Sequence, residues 1–163
     1  MSKTKKLNSM RLLEARAIPY ETHHYDPRIR DAEAVAQAVG LPPAEVFKTL
    51  VVERPANKKP VLVMLPCDST LNLKRLAKAL GEKKLALAPH AAAERLTGLK
   101  VGGISALALM QKRWDIYLDE RCAASAFIVI SAGQRGTQLR LETRALIDLL
   151  GCRIVDVADP TTE

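Results

Sequence analysis

The sequence predicts a single α/β domain, at the border with α+β, in which a mixed and mostly antiparallel sheet is flanked by helices. Three observations support this fold class. The chain has 163 residues, which is the usual size of one domain. Apolar segments of strand length are interspersed with amphipathic segments of helix length. Several neighbouring strand segments are separated only by short turns, which favour hairpins over a regular βαβ repeat.

The composition is that of a globular protein, with 48% hydrophobic and 26% charged residues. The longest uncharged stretch, 122–134, is too short and too rich in Ala and Ser to span a membrane. The basic segment MSKTKKLNSM is not followed by the apolar core of a secretory signal, so we expect a cytoplasmic location. The net charge of +7 favours an anionic partner, with nucleic acid as the first candidate.

Both ends of the chain are expected to lie outside the domain. The expected divisions are a basic arm at 1–9, the domain at 10–158 and a tail at 159–163. A first short helix is expected over 10–17, with Asn8 or Ser9 as its N-cap.

The second helix is expected over 31–40, where Asp31 can cap the start and Gly40 can end the helix in the left-handed conformation. Three further helices are expected: one within 68–81, with Asp68, Ser69 and Thr70 as capping candidates, one over 89–96, opened by Pro89, and one over 143–151.

Strands are expected where short apolar or alternating runs are bounded by turn residues. They are expected over 20–25, 46–53, 61–66, 84–88, 115–120, 126–131, 138–142 and 152–158. The polar turn between 46–53 and 61–66 predicts one hairpin. The glycine-rich segment between 126–131 and 138–142 predicts a second hairpin.

Lys48 is unusual because it lies inside the apolar segment VFKTLVV, where an unpaired ammonium is costly to bury. Two interpretations remain open. The side chain can lie on the solvent face of the strand, where it either extends its ammonium into water or pairs with Glu45 or Asp119. Alternatively, it can line a polar cavity and bind a phosphate or ribose oxygen.

Two glycine-containing segments are further candidates for binding. In KVGGISAL, 100–107, the glycine pair can bring backbone N–H groups close to a ligand carbonyl, or it can form an ordinary turn. Ser105 follows the pair but has no evident base partner, so we expect no serine nucleophile. In SAGQRGTQ, 131–138, Arg135 either belongs to a simple hairpin connection or reaches a phosphate.

The sequence predicts neither a cofactor nor a metal. It contains none of the common dinucleotide, P-loop, zincin or hydrolase motifs. Its three cysteines are widely spaced, which argues against a disulfide framework or a zinc site. His23 and His24 would point to opposite faces of a strand, so we interpret them as surface residues.

Taken in order, five segments resemble the YbaK-type Cys-tRNA(Pro) deacylases, relatives of the editing insertion domain of bacterial prolyl-tRNA synthetases. The segments are LLEARAIPYETHHYD, VFKTLVV, NLKRLAKALGEKKLALA, RLTGLKVGGIS and VISAGQRG. The resemblance implies an enzyme that removes a mischarged amino acid from the 3′ end of tRNA, with prolyl-tRNA synthetase as a candidate partner. It also implies that the thiol of the substrate cysteine attacks its own carbonyl, so that no protein nucleophile is needed.

The resemblance also indicates which residues form the site. The implied catalytic residues are Lys48, Gly102, Gly103 and Ile104. We expect Lys48 to hold the 3′-terminal phosphate or ribose, and the backbone N–H groups near Gly102, Gly103 and Ile104 to hold the carbonyl. The implied substrate-binding residues are Tyr25, Thr49, Ser105, Ser131, Gly133, Arg135 and Gly136.

The chain departs from the family pattern at three positions. Ala106 replaces the usual proline after GGIS, and Ala132 and Gln134 replace the usual glycine and lysine of the second segment. The preferred amino acid therefore remains open between Cys, Ala and another small residue. Two other functions also remain open, namely a non-catalytic module that binds tRNA or a synthetase, and a hydrolase of a small nucleotide or ester.

Overall fold

The computed structural model describes residues 6–161, so residues 1–5 of the expected arm and 162–163 of the expected tail lie outside the described part. The helices are α1 (Asn8–Ala15), α2 (Ala32–Val39), α3 (Leu73–Leu80), α4 (His90–Thr97) and α5 (Thr143–Leu150), with 3₁₀ helices at Leu107–Lys112 and Glu120–Ala124. The strands are β1 (Tyr20–His24), β2 (Phe47–Glu53), β3 (Val61–Pro66), β4 (Ser69–Leu71), β5 (Ala86–Leu87), β6 (Ile116–Asp119), β7 (Phe127–Ser131), β8 (Thr137–Glu142), β9 (Arg153–Val155) and β10 (Ala158–Pro160).

The strands form three sheets, and this arrangement confirms the predicted fold class. The central sheet has the order β5-β2-β3-β6-β9, in which β2 is antiparallel to β3 and β5 while β6 is parallel to β3 and β9. A second, antiparallel sheet has the order β1-β8-β7, and β10 pairs with β4 in a third. Both predicted hairpins, β2–β3 and β7–β8, are confirmed.

Strand β3 is apolar along its whole length because it is covered on both faces. Leu62 and Met64 of β3 belong to the main core, which includes strands β7 and β8. Val61 and Val63, on the opposite face, pack with Leu76 of α3. Because successive side chains of β3 point to opposite faces of the sheet, this one strand contributes residues to both core clusters.

The caps of α2 are those that the sequence predicts. The Asp31 carboxylate accepts a hydrogen bond from the N–H of Ala34 at 3.1 Å, and Gly40 adopts the left-handed conformation with φ 70°. The prediction for α3 was wrong in its start. Asn72 is the N-cap, since its side chain accepts from the N–H of Arg75 at 2.9 Å. The expected capping residues at 68–70 precede it because β4 keeps the chain extended through its pairing with β10.

The ends of the domain also differ from expectation. Helix α1 begins at Asn8, inside the expected arm, and its N-cap is Leu7, which makes no side-chain capping bond. Ser9 is buried, and its hydroxyl donates to the carbonyl of Ala132 at 2.6 Å, which fixes this end of the chain to the second sheet. Strand β10 extends the ordered domain to Pro160, inside the expected tail, because it pairs with β4.

No helix within residues 6–161 has the length and apolar character needed to cross a membrane.

Candidate active site

A cleft of about 620 Å³ opens beside β2, between α2, α4, β5 and the turn that joins β7 to β8. Its volume is within the usual range for small-ligand sites. Six of the residues predicted for the site line this cleft, namely Lys48, Thr49, Gly102, Ile104, Ser131 and Arg135. The structure therefore brings together three segments that are widely separated in the sequence.

The floor of the cleft is a stretch of β2 whose outer edge carries no paired strand within the described residues. At one end of this stretch the carbonyl of Glu45 accepts the N–H of Val129, and at the other end Val51 accepts the N–H of Ala88. Backbone N–H and C=O groups point to alternate edges of a strand from one residue to the next. Those of Thr49, which lies between Glu45 and Val51, therefore point to the same edge as the carbonyls of these two residues. Within residues 6–161, the backbone N–H and C=O of Thr49 therefore have no strand partner at the cleft.

Lys48 lies on β2 and lines the cleft, and its Nζ donates to the carbonyl oxygen of Ser69 at 2.6 Å. This bond satisfies one of the three ammonium donors of a half-buried lysine. The alternative in which Lys48 pairs with Glu45 or Asp119 is wrong within residues 6–161. The Glu45 carboxylate accepts the hydroxyl of Ser125, and Asp119 has other partners.

Asp119 is fully buried and serves the fold. One carboxylate oxygen accepts the N–H groups of Val157 and Ala158, both at 2.9 Å, and Arg121 pairs with the other oxygen at 3.2 Å. Asp119 therefore fixes the segment before β10.

The glycine pair forms a tight turn at the wall of the cleft. The N–H of Gly103 donates to the carbonyl of Lys100 at 2.8 Å, so this amide is already occupied. Gly102 has φ 93°, a conformation that glycine adopts without strain. Within residues 6–161, the amides of Gly102 and Ile104 donate no hydrogen bond, and both residues line the cleft. In the described glycine turn, the amides of Gly102 and Ile104 are therefore the ones available to a ligand.

Arg135 holds the glycine turn against the β7–β8 connection. Its Nε donates to the carbonyl of Val101 at 2.6 Å, and its guanidinium lies 3.9 Å from Glu94. A Cβ atom on Gly103 would lie 2.8 Å from the backbone nitrogen of Arg135. Glycine is therefore required at 103 by the close approach of two backbones.

The other residues predicted for the site lie outside the cleft lining. Ser105 is buried, and its hydroxyl accepts the N–H of Ala108 at 3.4 Å, so it stabilises the start of a 3₁₀ helix. Gly133 packs against Ala108, with φ 104°. These positions support the cleft wall from behind.

Tyr25 and Gly136 form a second supporting contact. The N–H of Tyr25 donates to the carbonyl of Gly136 at 3.0 Å, and the Tyr25 hydroxyl is buried with no hydrogen-bond partner in the described part of the chain. A Cβ on Gly136 would approach the Tyr25 carbonyl to 3.2 Å. The contact joins the end of β1 to the β7–β8 turn.

Sequence reasoning missed Gln138, which lines the cleft from β8. Its side chain is 6% exposed, and its Oε1 atom has no hydrogen-bond partner in residues 6–161. A buried amide oxygen without a partner is destabilising, so such groups often serve a ligand. A glutamine in a strand is ordinary in sequence, and only its neighbours in space distinguish it.

Two ionisable side chains of the cleft, Cys67 and Glu94, are constrained by their surroundings. Burial, with a smaller effect of the Asp68 carboxylate, raises the pKa of the Cys67 thiol to about 12, so the thiol stays protonated. The N–H of Val101 donates to Glu94 at 2.8 Å and holds the pKa of this carboxyl below its ordinary value. Glu94 is therefore an occupied hydrogen-bond acceptor.

Residues 6–161 contain no group of three His, Cys, Asp or Glu side chains arranged to hold a metal ion.

The chain matches the family model described as an aminoacyl-tRNA editing domain over residues 26–149. It is 34% identical over 155 residues to the Enterococcus faecalis protein EbsC, and the match covers 93% of each chain. The activity inferred for EbsC in its name is that of a Cys-tRNA(Pro)/Cys-tRNA(Cys) deacylase.

Two solved structures share the fold. The hypothetical protein APE2540 superposes with a TM-score of 0.85 and 23% identity, over 94% of this chain and 100% of that one. A structure described as an inferred trans-editing enzyme for prolyl-tRNA synthetase gives a TM-score of 0.80 and 22% identity, over 96% of this chain and 99% of that one. At these identities the two structures establish the fold alone.

Proposed function

Because the chain belongs to the aminoacyl-tRNA editing domain family, we propose that it is a trans-editing deacylase that removes a mischarged amino acid from the 3′ end of tRNA. Cysteine on tRNA(Pro) is the proposed first substrate, with cysteine on tRNA(Cys) as a second. The name of the Enterococcus faecalis relative supports this choice.

The observation that carries the proposal is the convergence of Lys48 with the free amides of Gly102 and Ile104 on one cleft. An aminoacyl ester presents a phosphate and a ribose on one side and a carbonyl on the other. A cation suits the first part, and backbone N–H donors suit the second.

We assign these groups as follows. The Lys48 ammonium, which keeps two donors beyond its bond to Ser69, binds the terminal phosphate or ribose oxygens. The amides of Gly102 and Ile104 donate to the carbonyl oxygen as negative charge develops on it. Donors placed in advance at such an oxygen typically contribute about 10²–10³-fold in rate.

The proposed reaction uses the substrate's own thiol. The sulfur bonds to the carbonyl carbon, the ester C–O bond breaks, and the thiol proton ends on the released ribose oxygen. Water then opens the resulting thiolactone to free cysteine. Well-oriented intramolecular attack reaches effective molarities of roughly 10⁵–10⁸ M, so positioning supplies much of the rate. The protonated Cys67 and the buried Ser105 are consistent with this route.

Two departures from the family pattern lie in the interior, behind the cleft. Ala106 and Ala132 are almost completely buried in the main core. A small residue at either position therefore alters the packing behind the cleft wall. It removes no side chain that would touch the substrate. We propose that the amino-acid preference is set by the cleft lining.

The experiment that tests this function uses tRNA(Pro) charged with labelled Cys, Ala or Pro. Loss of label from Cys-tRNA(Pro) at sub-stoichiometric protein, with Pro-tRNA(Pro) preserved, supports the proposal. Loss of Ala alone would assign the domain to another amino acid. Binding without any loss of ester would indicate a non-catalytic module.

Prolyl-tRNA synthetase is proposed as a partner, on the basis of the solved structure described as a trans-editing enzyme for that synthetase. In this proposal the synthetase supplies the recognition of tRNA identity. Addition of the synthetase to the assay is expected to increase the discrimination between tRNA(Pro) and tRNA(Cys).

A further inference from the structure

Two segments beside the cleft carry a large share of the positive charge. The turn between β2 and β3 and the loop before β5, at 53–60 and 81–86, contain five Lys or Arg residues and two Glu residues. Their excess of three positive charges compares with a net charge of +7 for the whole chain. We name the four exposed lysines of these segments, Lys58, Lys59, Lys83 and Lys84, the hairpin basic surface.

The fold holds these two segments together. Strand β5 pairs with the end of β2, so that Ala86 lies opposite Glu53. The Lys58 ammonium binds the Glu82 carboxylate at 2.7 Å across the two segments. Lys59, Lys83 and Lys84 make no ion pair within residues 6–161, so their charges are available to a partner.

The hairpin basic surface adjoins the cleft. Leu87 of β5 lines the cleft and is 49% exposed, which places it on the rim. Lys84 precedes Leu87 by three residues, roughly 10 Å along an extended chain. A nucleic acid that leaves the cleft across β5 therefore meets the lysines at once, while Leu87 offers an apolar contact for a base.

We propose that the hairpin basic surface binds the sugar–phosphate backbone of the tRNA acceptor stem whose 3′ end occupies the cleft. This inference rests on the proposed function, and it names the route by which the substrate leaves the site. Lysines that contact phosphates act without regard to sequence and make binding strongly dependent on salt. The surface therefore provides affinity, while the cleft provides chemical selection.

The opposite rim of the cleft offers an alternative route. It carries Arg95 and Lys100 on either side of Gly98, while Arg135 and Glu94, which line the cleft there, offset one another at 3.9 Å. Its excess of positive charge is accordingly two, against three on the hairpin side. Replacement of Arg95 and Lys100 by Glu, which reverses their charge, tests this route directly.

The test compares a triple variant, Lys59→Glu, Lys83→Glu and Lys84→Glu, with the parental protein. Its matched control, Arg11→Glu, Arg16→Glu and Arg153→Glu, makes the same change in net charge at exposed positions on α1, its C-cap and β9, the far edge of the central sheet. Thermal unfolding of both variants establishes that they fold.

Two substrates separate the surface from the cleft: a full aminoacyl-tRNA, and the same amino acid esterified to adenosine. The triple variant is expected to lose about tenfold or more in kcat/KM on the tRNA, with a shallower salt dependence, because each lost phosphate contact removes roughly 0.7–0.9 from the slope. On the adenosine ester its kcat/KM is expected to stay within about twofold of the parental value, since lysine contacts to distant phosphates are absent there.

Binding of uncharged tRNA, measured by fluorescence anisotropy, keeps the inference separate from catalysis. A dissociation constant raised at least tenfold in the triple variant and unchanged in the control supports it, even if neither substrate is hydrolysed and the proposed function fails. An unchanged dissociation constant would overturn it. So would an equal loss on both substrates, or a loss of tRNA binding that follows reversal of Arg95 and Lys100 instead.

Discussion

The Nε of Arg135 donates a 2.6 Å hydrogen bond to the carbonyl oxygen of Val101, which joins the β7–β8 turn to the glycine turn of the cleft. The two segments are separated by more than thirty residues in the chain. Gly102, which follows Val101, and Ser131, which precedes the β7–β8 turn, both line the cleft beside this contact. The position of the glycine turn therefore depends in part on this guanidinium.

Replacement of Arg135 by Lys tests this dependence. The ammonium of lysine lacks the planar fork of arginine and reaches Val101 poorly, so both stability and activity are expected to fall. Hydrogen bonds from charged groups contribute about 1.5–3 kcal/mol, and we expect a loss of unfolding free energy of that order in urea titrations. The matched control is Arg28→Lys, whose side chain is 89% exposed and whose stability should hardly change. Equal effects in the two variants would contradict the role of Arg135.

Gly103→Ala is expected to disrupt the cleft by steric clash. The added Cβ would lie 2.8 Å from the Arg135 nitrogen and 3.0 Å from the carbonyl carbon of Gln134, both of which belong to backbone. Overpacking of this kind typically costs about 1–3 kcal/mol.

Gly98→Ala is the control for this change. Gly98 has φ 74° with no atom within 4 Å of the added Cβ, so only backbone strain results. We expect Gly98→Ala to keep its deacylation rate and Gly103→Ala to lose it, in the same ester-release assay. A fully active Gly103→Ala protein would refute the close packing of the two turns.

Gln138→Leu is expected to raise stability and lower activity. The substitution removes a buried oxygen that lacks a partner in residues 6–161, and such a group costs about 1–3 kcal/mol. If the amide serves the substrate, kcat/KM for deacylation falls while the melting temperature rises. Gln111→Leu, at an exposed position, is the control and should change neither quantity. Unchanged kcat/KM in Gln138→Leu would leave the amide without a role in the reaction.

The buried Cys67 thiol is expected to lower the free energy of unfolding in alkaline solution. Burial raises its pKa to about 12 in the folded protein, whereas the unfolded thiol has the ordinary pKa of about 8.5. Above about pH 8.5 the unfolded chain releases a proton that the folded chain keeps, so this contribution to stability is present below that pH and is lost as the pH rises towards 12.

Denaturant titrations between pH 7 and pH 11 measure this effect. Cys67→Ala is expected to show a flatter decline than the parental protein, and its deacylation rate should be retained because the thiol is no nucleophile. Burial also raises the thiol pKa values of Cys122 and Cys152, so part of the decline in unfolding free energy remains in Cys67→Ala. An identical pH profile in both proteins would contradict the raised pKa.

Local signals in the sequence predicted the elements that local interactions determine. Asp31 and Gly40 bound α2 because capping depends on neighbouring residues. The start of α3 could not be predicted in the same way, since β4 exists only through its pairing with β10, about ninety residues away. The division of the strands into three sheets has the same origin.

The candidate site was predictable only in part. Lys48 was conspicuous as a charge inside an apolar strand, and the structure brings it to the same cleft as Gly102. The sequence could not show that the Gly103 amide is occupied by Lys100, because turn hydrogen bonds depend on backbone geometry. Nor could it show that Thr49 lies on an unpaired stretch of the β2 edge within residues 6–161. This stretch lies between the contact of Glu45 with β7 and the contact of Val51 with Ala88.

The central claim is that the Lys48 ammonium holds the substrate in a cleft that releases its amino acid. Single-turnover deacylation of Cys-tRNA(Pro) by Lys48→Met and Lys48→Arg proteins tests it most directly. The account predicts a loss of about 100-fold or more for Met, with a smaller loss for Arg, because the half-buried cation that positions the substrate has been removed. A Lys48→Met protein that folds and releases cysteine at the parental rate would contradict the account.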